Sequence, residues 1–134
     1  MTWLFLDTSV SGSSRIGHIS EQGVSVKTLN GRSDVVVREL IKAIPTPSSS
    51  PFERGRMNGV IVVSGPGSFS AIRAGVVCAN LIARLRRVPL VGVTVDEAKD
   101  LDTLLDRIAS KQLRSQKTVL PTYNAEPNIT MPRV

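Results

Sequence analysis

Short apolar runs separated by polar turns open the chain and predict three strands. Residues 3–6 form an apolar run that is closed by Asp7, and residues 9–14 have the Ser/Gly-rich composition of a turn. Residues 15–19 and 24–27 alternate weakly on either side of a Gly-containing turn, a pattern that favours a β-hairpin. We therefore expect a three-stranded antiparallel meander over roughly the first 40 residues.

The rest of the pattern alternates helices with buried strands. Two β-branched or apolar runs, residues 60–63 and 90–93, are typical of strands buried on both faces. Apolar residues at helical spacing predict helices over residues 34–44, 72–85 and 94–108. The order βββ-α-β-α-β-α predicts an α/β fold, a mixed five-stranded sheet flanked by helices, with an antiparallel edge on a partly parallel sheet.

Signals at the ends of the predicted helices support these bounds. Asp34 can cap the first helix and Pro45 stops it, while Thr94 and Glu97 have the spacing of a capping box at the start of the last. Beyond Ser110 the chain is polar, and three prolines argue against regular structure. We expect a folded domain over residues 1–110 and a basic, Pro-containing C-terminal tail over residues 111–134.

Composition excludes several classes of function. A chain of 134 residues is long enough for one domain with a single core. One Cys and one His exclude a disulfide framework and any Cys/His zinc cluster within one chain. No apolar run reaches the ~20 residues that span a bilayer, and the N-terminus lacks a signal-peptide pattern. We expect a soluble cytoplasmic protein, with His18 as a strand residue and Cys78 as a buried apolar thiol.

The net charge of +6 raises the possibility of nucleic-acid binding. Its sharpest cluster is Arg84, Arg86 and Arg87. Cations in the last turn of a helix are also favoured by the helix dipole, so a solvated helix end is the simpler explanation of the cluster. Direct RNA contact by these arginines and the basic tail stays open as an additional property.

The loop at residues 64–70 carries the most informative chemistry. It contains Gly65 and Gly67 and leads from a buried strand into a helix, so its backbone N–H groups can face an anion; a plain tight turn is the alternative. Known phosphate-binding motifs do not fit, because Ser68 follows Gly67 where the Walker pattern needs Lys. Asp7, after the first strand, can approach a ligand or its metal, or cap a turn. Arg73 can complement an anion or face solvent.

Three segments together resemble the TsaB (YeaZ) family. They are residues 6–9, residues 89–94 and, above all, residues 62–76, which keep most of the family string Gly-Pro-Gly-Ser-Phe-Thr-Gly-Leu-Arg-x-Gly and replace Thr-Gly-Leu by Ser-Ala-Ile. The resemblance covers about residues 3–105 in the family's order. It implies a single ribonuclease H-like (ASKHA, actin-like ATPase) lobe and a role in threonylcarbamoyladenosine modification of tRNA. Family members are usually longer and two-lobed, so we expect that the second lobe is missing.

The family resemblance also implies partners and roles. TsaB-like proteins are non-catalytic and pair with the TsaD transferase, and a TsaE-like ATPase joins that pair. Alone, they form homodimers. We therefore expect no catalytic residue, metal or cofactor in this chain, with ATP bound only alongside partner subunits. The resemblance assigns a vestigial or structural phosphate-like loop to Asp7, Ser9, Gly65, Gly67, Ser68 and Arg73. It places the partner interface on the two first-lobe helices, which we assign to Arg38, Ile41, Ile72, Val76, Ala79 and Asn80. The alternative is a minimal ASKHA nucleotide-binding or phosphotransfer domain that uses Asp7 and residues 65–68.

Overall fold

The structure of the protein, a computed structural model, describes residues 2–10, 12–31, 38, 58–67, 69–110, 113 and 115–120. Its strands are β1 (Thr2–Val10), β2 (Ser13–Ser20), β3 (Gly23–Asn30), β4 (Gly59–Gly65) and β5 (Leu90–Thr94). Its helices are α1 (Phe69–Arg86) and α2 (Leu104–Ala109), and short 3₁₀ turns at Glu97–Lys99 and Leu101–Thr103 precede α2. The predicted strands and the helix at 72–85 are therefore confirmed.

The five strands form one mixed sheet in the order β3-β2-β1-β4-β5. β1, β2 and β3 are antiparallel neighbours, whereas β4 pairs in parallel with both β1 and β5. The expected meander and the partly parallel sheet are thus both confirmed. Of the helix predicted over residues 34–44, only Arg38 is described, and it is helical; the remainder, Ile41 included, lies outside the described residues.

Hydrophobic residues fill both faces of the sheet. Leu6 and Val62 pack with Ile72 of α1 on one face, whereas Phe5 and Ile61 pack with Leu104 of α2 on the other. Successive side chains of a strand point to opposite faces, which is why neighbouring β1 residues belong to different layers. Each fully buried aliphatic or aromatic side chain stabilises the fold by roughly 1.5–3 kcal/mol. The central strands are therefore the rigid base on which the chain's loops and α1 are positioned.

The C-terminal helix differs from its prediction. The capping box forms as expected: the Glu97 N–H donates to Thr94 Oγ1 at 3.1 Å, and the Thr94 N–H donates to Glu97 Oε1 at 2.8 Å. The helix does not continue from this start, because Asp100 adopts φ −119° and ψ 87°, outside the helical region. A single helix over residues 94–108 is therefore wrong, and two 3₁₀ turns lead into the shorter α2. These turns place Ala98 and Leu104 in the core under β5.

Leu113 and residues 115–120, the described part of the segment after α2, pack onto the folded domain. Gln116 forms an antiparallel bridge to Leu90 of β5, and Leu113 and Val119 are buried. The expected tail is irregular here but is not detached, because its backbone is bonded to β5 and its apolar side chains complete the core. Residues 121–134 lie outside the described residues.

The end of α1 supplies a stability test. Arg87 has φ 57°, in the left-handed region that favours glycine. It occupies the residue after a helix C-terminus whose carbonyls are capped in the Schellman pattern, with the Val88 N–H donating to the Ala83 oxygen at 3.0 Å and the Arg87 N–H to the Arg84 oxygen at 3.3 Å. We expect Arg87→Gly to raise the free energy of unfolding by about 0.5–1 kcal/mol, because relief of the left-handed penalty exceeds the greater backbone entropy of glycine when unfolded.

Urea denaturation followed by fluorescence measures the Arg87→Gly effect, because Trp3 is the only tryptophan and is buried. Arg84→Gly, inside α1, is the matched control and is expected to lose about 1 kcal/mol through lower helix propensity. A loss of stability in both variants would contradict the capping interpretation.

Candidate functional site at the ends of β1 and β4 and on α1

The last residues of β1 and β4 and the loop after β4 meet at one edge of the sheet. The two strands are parallel neighbours, with Leu6 beside Val62, so their carboxyl ends lie side by side. Gly67 approaches Ser9 so closely that a Cβ built on Gly67 would lie 2.6 Å from the Ser9 carbonyl oxygen. Gly65 has φ 125°, a conformation that side-chain-bearing residues rarely adopt. Both glycines are therefore needed for the loop after β4 to reach the end of β1.

The carboxylate of Asp7 is engaged entirely within the chain. Its Oδ1 accepts hydrogen bonds from the Ser9 N–H at 2.9 Å and the Ser9 hydroxyl at 2.7 Å. Its Oδ2 accepts two from the Arg15 guanidinium, from Nε at 3.1 Å and from Nη2 at 2.7 Å. Asp7 is 8% exposed. Both oxygens are thus occupied by neighbouring groups, an arrangement suited to holding the end of β1 and not to receiving a metal or phosphate.

Arg15 is a site residue that the sequence interpretation missed. It lies directly opposite Asp7 in the β1–β2 register, and its guanidinium lies 5.4 Å from the centre of the Phe5 ring. Opposite charges on facing strand positions stabilise a sheet, and the aromatic face adds a cation–π contact. The turn alone does not predict this pair, because Val10 pairs with Ser13 and a regular ladder from there would place position 16 opposite Asp7. A register shift between Asp7 and Val10 brings Arg15 opposite Asp7 instead.

The side chains of Asp7 and its neighbour Thr8 lie on opposite faces of the sheet. Thr8 lies under α1, where a Cβ built on Gly75 would be 2.1 Å from its Oγ1. Asp7 shares a strand face with Phe5, whose ring belongs to the layer on the α2 side. Thr8 therefore faces α1, as Leu6 does, and Asp7 lies on the other face of the sheet.

The predicted phosphate-like residues are brought together in part. Ser9 is hydrogen-bonded to Asp7, and its carbonyl oxygen lies against Gly67. Arg73, by contrast, is exposed on α1. Ser68 lies outside the described residues. Binding of phosphate by this group stays a prediction.

The predicted partner interface needs correction on α1. Ile72 and Ala79 are completely buried and Val76 is 2% exposed, because they face β1 and β4. Their assignment to a partner surface is wrong: one stripe of the helix cannot both cover its own sheet and bind another molecule. Asn80 is half-buried and hydrogen-bonded to the backbone of Val119.

A different apolar stripe on α1 is exposed. Val77 is 58% exposed, Leu81 54% and Leu85 71%. They recur at every fourth position and so lie along one side of the helix. We call Val77, Leu81 and Leu85 the α1 stripe. Its spacing was readable in the sequence, where it competed with the stripe of Ile72, Val76 and Ala79 for the role of core face.

The remaining candidate side chains are His18 and Cys78. His18 lies in β2, as expected. Cys78 is half-buried in α1, and burial raises the pKa of its thiol, which disfavours the reactive thiolate. Within the described ranges, no three His, Cys, Asp or Glu side chains form a group that could hold a metal ion. Among the helices that the structure describes, none has the length and apolar content needed to cross a membrane.

The sheet order, the glycine-bearing loop after β4 and the helices on both faces define a mixed α/β lobe. Among 45 solved chains that match it, YeaZ from Pseudomonas aeruginosa does so with a TM-score of 0.56 and 19% identity. That match covers 83% of this chain and 49% of the other. The fold is therefore YeaZ-like, and the chain spans about half the length of the YeaZ structure.

A second solved structure agrees on the fold. It is described as an uncharacterized protein with similarity to peptidase YeaZ from Pseudomonas aeruginosa, and it matches with a TM-score of 0.51 and 19% identity over 69% of this chain and 43% of that one. No protein-family model matches the sequence, and no curated protein matches it significantly. At this identity the likeness establishes the fold, and function must be argued from the surface and the site.

Proposed function

We propose that this protein is a non-catalytic scaffolding subunit that pairs with a TsaD-like transferase in threonylcarbamoyladenosine modification of tRNA. The observation that carries the proposal is the α1 stripe, in which three large apolar side chains are exposed in a row along one helix. Contiguous apolar side chains on a surface mark sites of protein association. The YeaZ-like fold and the family resemblance of residues 62–76 support the choice of a TsaD-like partner.

The state of Asp7 supports a non-catalytic role. A carboxylate that must hold a metal or a phosphate-bound water needs free oxygen lone pairs, and here Ser9 and Arg15 occupy both oxygens. The alternative, a minimal nucleotide-binding or phosphotransfer domain, requires Arg15 to release Asp7. Calorimetry with Mg-ATP separates the two: binding weaker than millimolar supports the scaffold, and micromolar binding by the chain alone supports the alternative.

Co-purification tests the partner. We expect the full chain to retain a TsaD-like protein of the same cell at micromolar concentration, with a TsaE-like ATPase joining the pair. We expect deletion of the gene to lower the threonylcarbamoyladenosine content of tRNA, measured by mass spectrometry of nucleosides. Absence of any complex together with unchanged modification would overturn the proposal.

A substitution in the α1 stripe gives the proposal a point test. Leu81→Asp is expected to weaken the complex about tenfold or more, because it puts a charge in an apolar contact; tenfold corresponds to about 1.4 kcal/mol. Leu81 is half-exposed in the chain alone, so the fold tolerates the change. Val10→Asp is the matched control, since Val10 is 61% exposed and lies on β1. If both variants weakened the complex equally, the α1 stripe would not be the site of partner binding.

A further inference from the structure

A groove runs beside the α1 stripe. One wall is α1 and the other is the segment at residues 117–120, which lies along the helix. The groove is lined by Val76, Val77, Asn80, Leu81, Arg84, Lys117, Thr118, Val119 and Leu120. Leu120 is 74% exposed, so the apolar surface of the stripe continues across the groove onto the second wall. We call this surface the α1 groove.

The second wall of the α1 groove is held in place by hydrogen bonds. The Val119 N–H donates to Asn80 Oδ1 at 3.0 Å, and Asn80 Nδ2 donates to the Val119 carbonyl oxygen at 2.9 Å. Three residues before Val119, the Gln116 N–H donates to the Leu90 oxygen at 2.7 Å. The groove is therefore formed before any partner arrives, which lowers the ordering cost of binding.

Among the described residues that line the α1 groove, the charged side chains are all cationic. Arg84 and Lys117 lie in its lining and both are exposed. The eighteen residues of α1 include no Asp or Glu, and the helix also carries Arg73 and Arg86. An apolar floor with a cationic border favours an occupant that is apolar along one side and acidic at its edges.

We propose that the α1 groove binds an amphipathic helix of a different protein, apolar on one face and bordered by Asp and Glu. A second copy of this chain is a poor occupant, because two copies of α1 meeting at this surface would place arginines against arginines with no carboxylate on either helix. The identity of the partner rests on the proposed function, whereas its chemistry rests on the groove. This inference reverses the expectation that the chain pairs with itself through α1.

Peptide binding to the full chain tests the chemistry. The probes are two fluorescein-labelled synthetic amphipathic helices with the same leucine face, one bordered by Glu and the other by Lys, and binding is measured by anisotropy. The acidic peptide is expected to bind about tenfold or more tightly than the basic one. Arg84→Glu with Lys117→Glu is expected to reverse the preference, and Leu81→Asp is expected to weaken both peptides.

The second wall has its own variant in the same assay. Asn80→Ala removes both hydrogen bonds to Val119 and is expected to weaken the acidic peptide several-fold, while Val10→Asp leaves it unchanged. Trp3 fluorescence on urea denaturation verifies that each variant is folded. Equal affinity for the acidic and basic peptides, or a preference that survives charge reversal, would overturn the proposal.

Two competing occupants give distinct results. Concentration-dependent dimers in sedimentation, lost in Leu81→Asp, would assign the groove to a second copy and overturn the inference. A tRNA that binds through Arg84 and Lys117 and is unaffected by Leu81→Asp would assign it to RNA, with the same consequence. If the acidic peptide binds but no TsaD-like protein co-purifies, the groove stands and the proposed function fails. If the TsaD-like protein co-purifies equally with the charge-reversed variant, the proposed function stands and the groove proposal fails.

Discussion

Gly75→Ala is expected to lower the free energy of unfolding by about 3 kcal/mol, at the upper end of the usual cost of overpacking a core. The added Cβ would lie 2.1 Å from Thr8 Oγ1 and 2.9 Å from Thr8 Cγ2, so α1 must move away from β1. Helix propensity alone predicts the opposite sign, since alanine is favoured over glycine inside a helix by about 1 kcal/mol. The sign of the change therefore decides whether the close approach exists. Urea denaturation monitored by Trp3 fluorescence measures it.

A double-mutant cycle with Thr8 isolates the cause. Thr8→Ala removes the two atoms nearest to the new Cβ, after which the Thr8 Cβ, at 3.0 Å, is the next nearest of the three contacts. We expect Thr8→Ala with Gly75→Ala to be more stable than the sum of the two single changes implies, with a coupling of about 1–2 kcal/mol. If the two changes were strictly additive, the cost of Gly75→Ala would not come from its contact with Thr8. If Gly75→Ala stabilised the protein, the close approach of α1 to β1 would be contradicted.

Asp7→Ala is expected to cost about 2–3 kcal/mol of unfolding free energy. Removing one partner of a fully buried ion pair costs about 3–5 kcal/mol, and the value here is discounted because the Arg15 side chain is 35% exposed and can be partly solvated. The change also removes the acceptor of the Ser9 N–H and hydroxyl. Chemical denaturation of the two proteins gives the difference.

Asp7→Asn separates a structural carboxylate from a functional one. The amide oxygen can still accept from Ser9, but the charge pair with Arg15 is lost, so we expect a smaller cost of about 1–2 kcal/mol. Partner co-purification is expected to persist once the variant is folded, because Asp7 lies away from α1. A folded Asp7→Asn protein that had lost the complex or the tRNA modification would give the carboxylate a direct role.

Local signals in the sequence were enough for most of the fold. The meander of β1–β3 and the buried runs of β4 and β5 were predictable because alternation, β-branching and turn residues act over a few positions. The capping box of Thr94 and Glu97 was equally local, and it formed. The helix expected after it was not decided locally, because Asp100 leaves the helical region where the chain turns to bury Ala98 and Leu104 beneath β5.

The residues of the candidate site were also predictable only in part. Asp7 and the glycine loop could be identified from their positions at the ends of strands, and the structure places them together. Arg15, which neutralises Asp7, comes from the next strand, so its contact depends on the register of the hairpin. The hydrogen bonds between Asn80 and Val119 join residues 39 positions apart along the chain, and no pattern in the sequence predicts them.

The sequence by itself determined the order and type of the central elements, the glycine-bearing loop, the absence of Cys/His metal chemistry within one chain, and a helix at 72–85 with apolar residues on more than one side. Only the tertiary structure decided which side of α1 is core and which is surface. Periodicity places Ile72, Val76 and Ala79 on one stripe and Val77, Leu81 and Leu85 on another, and both are apolar. The sheet selects the first, because Gly75 on that side admits Thr8 and lets the helix approach β1, and the second stripe is thereby exposed.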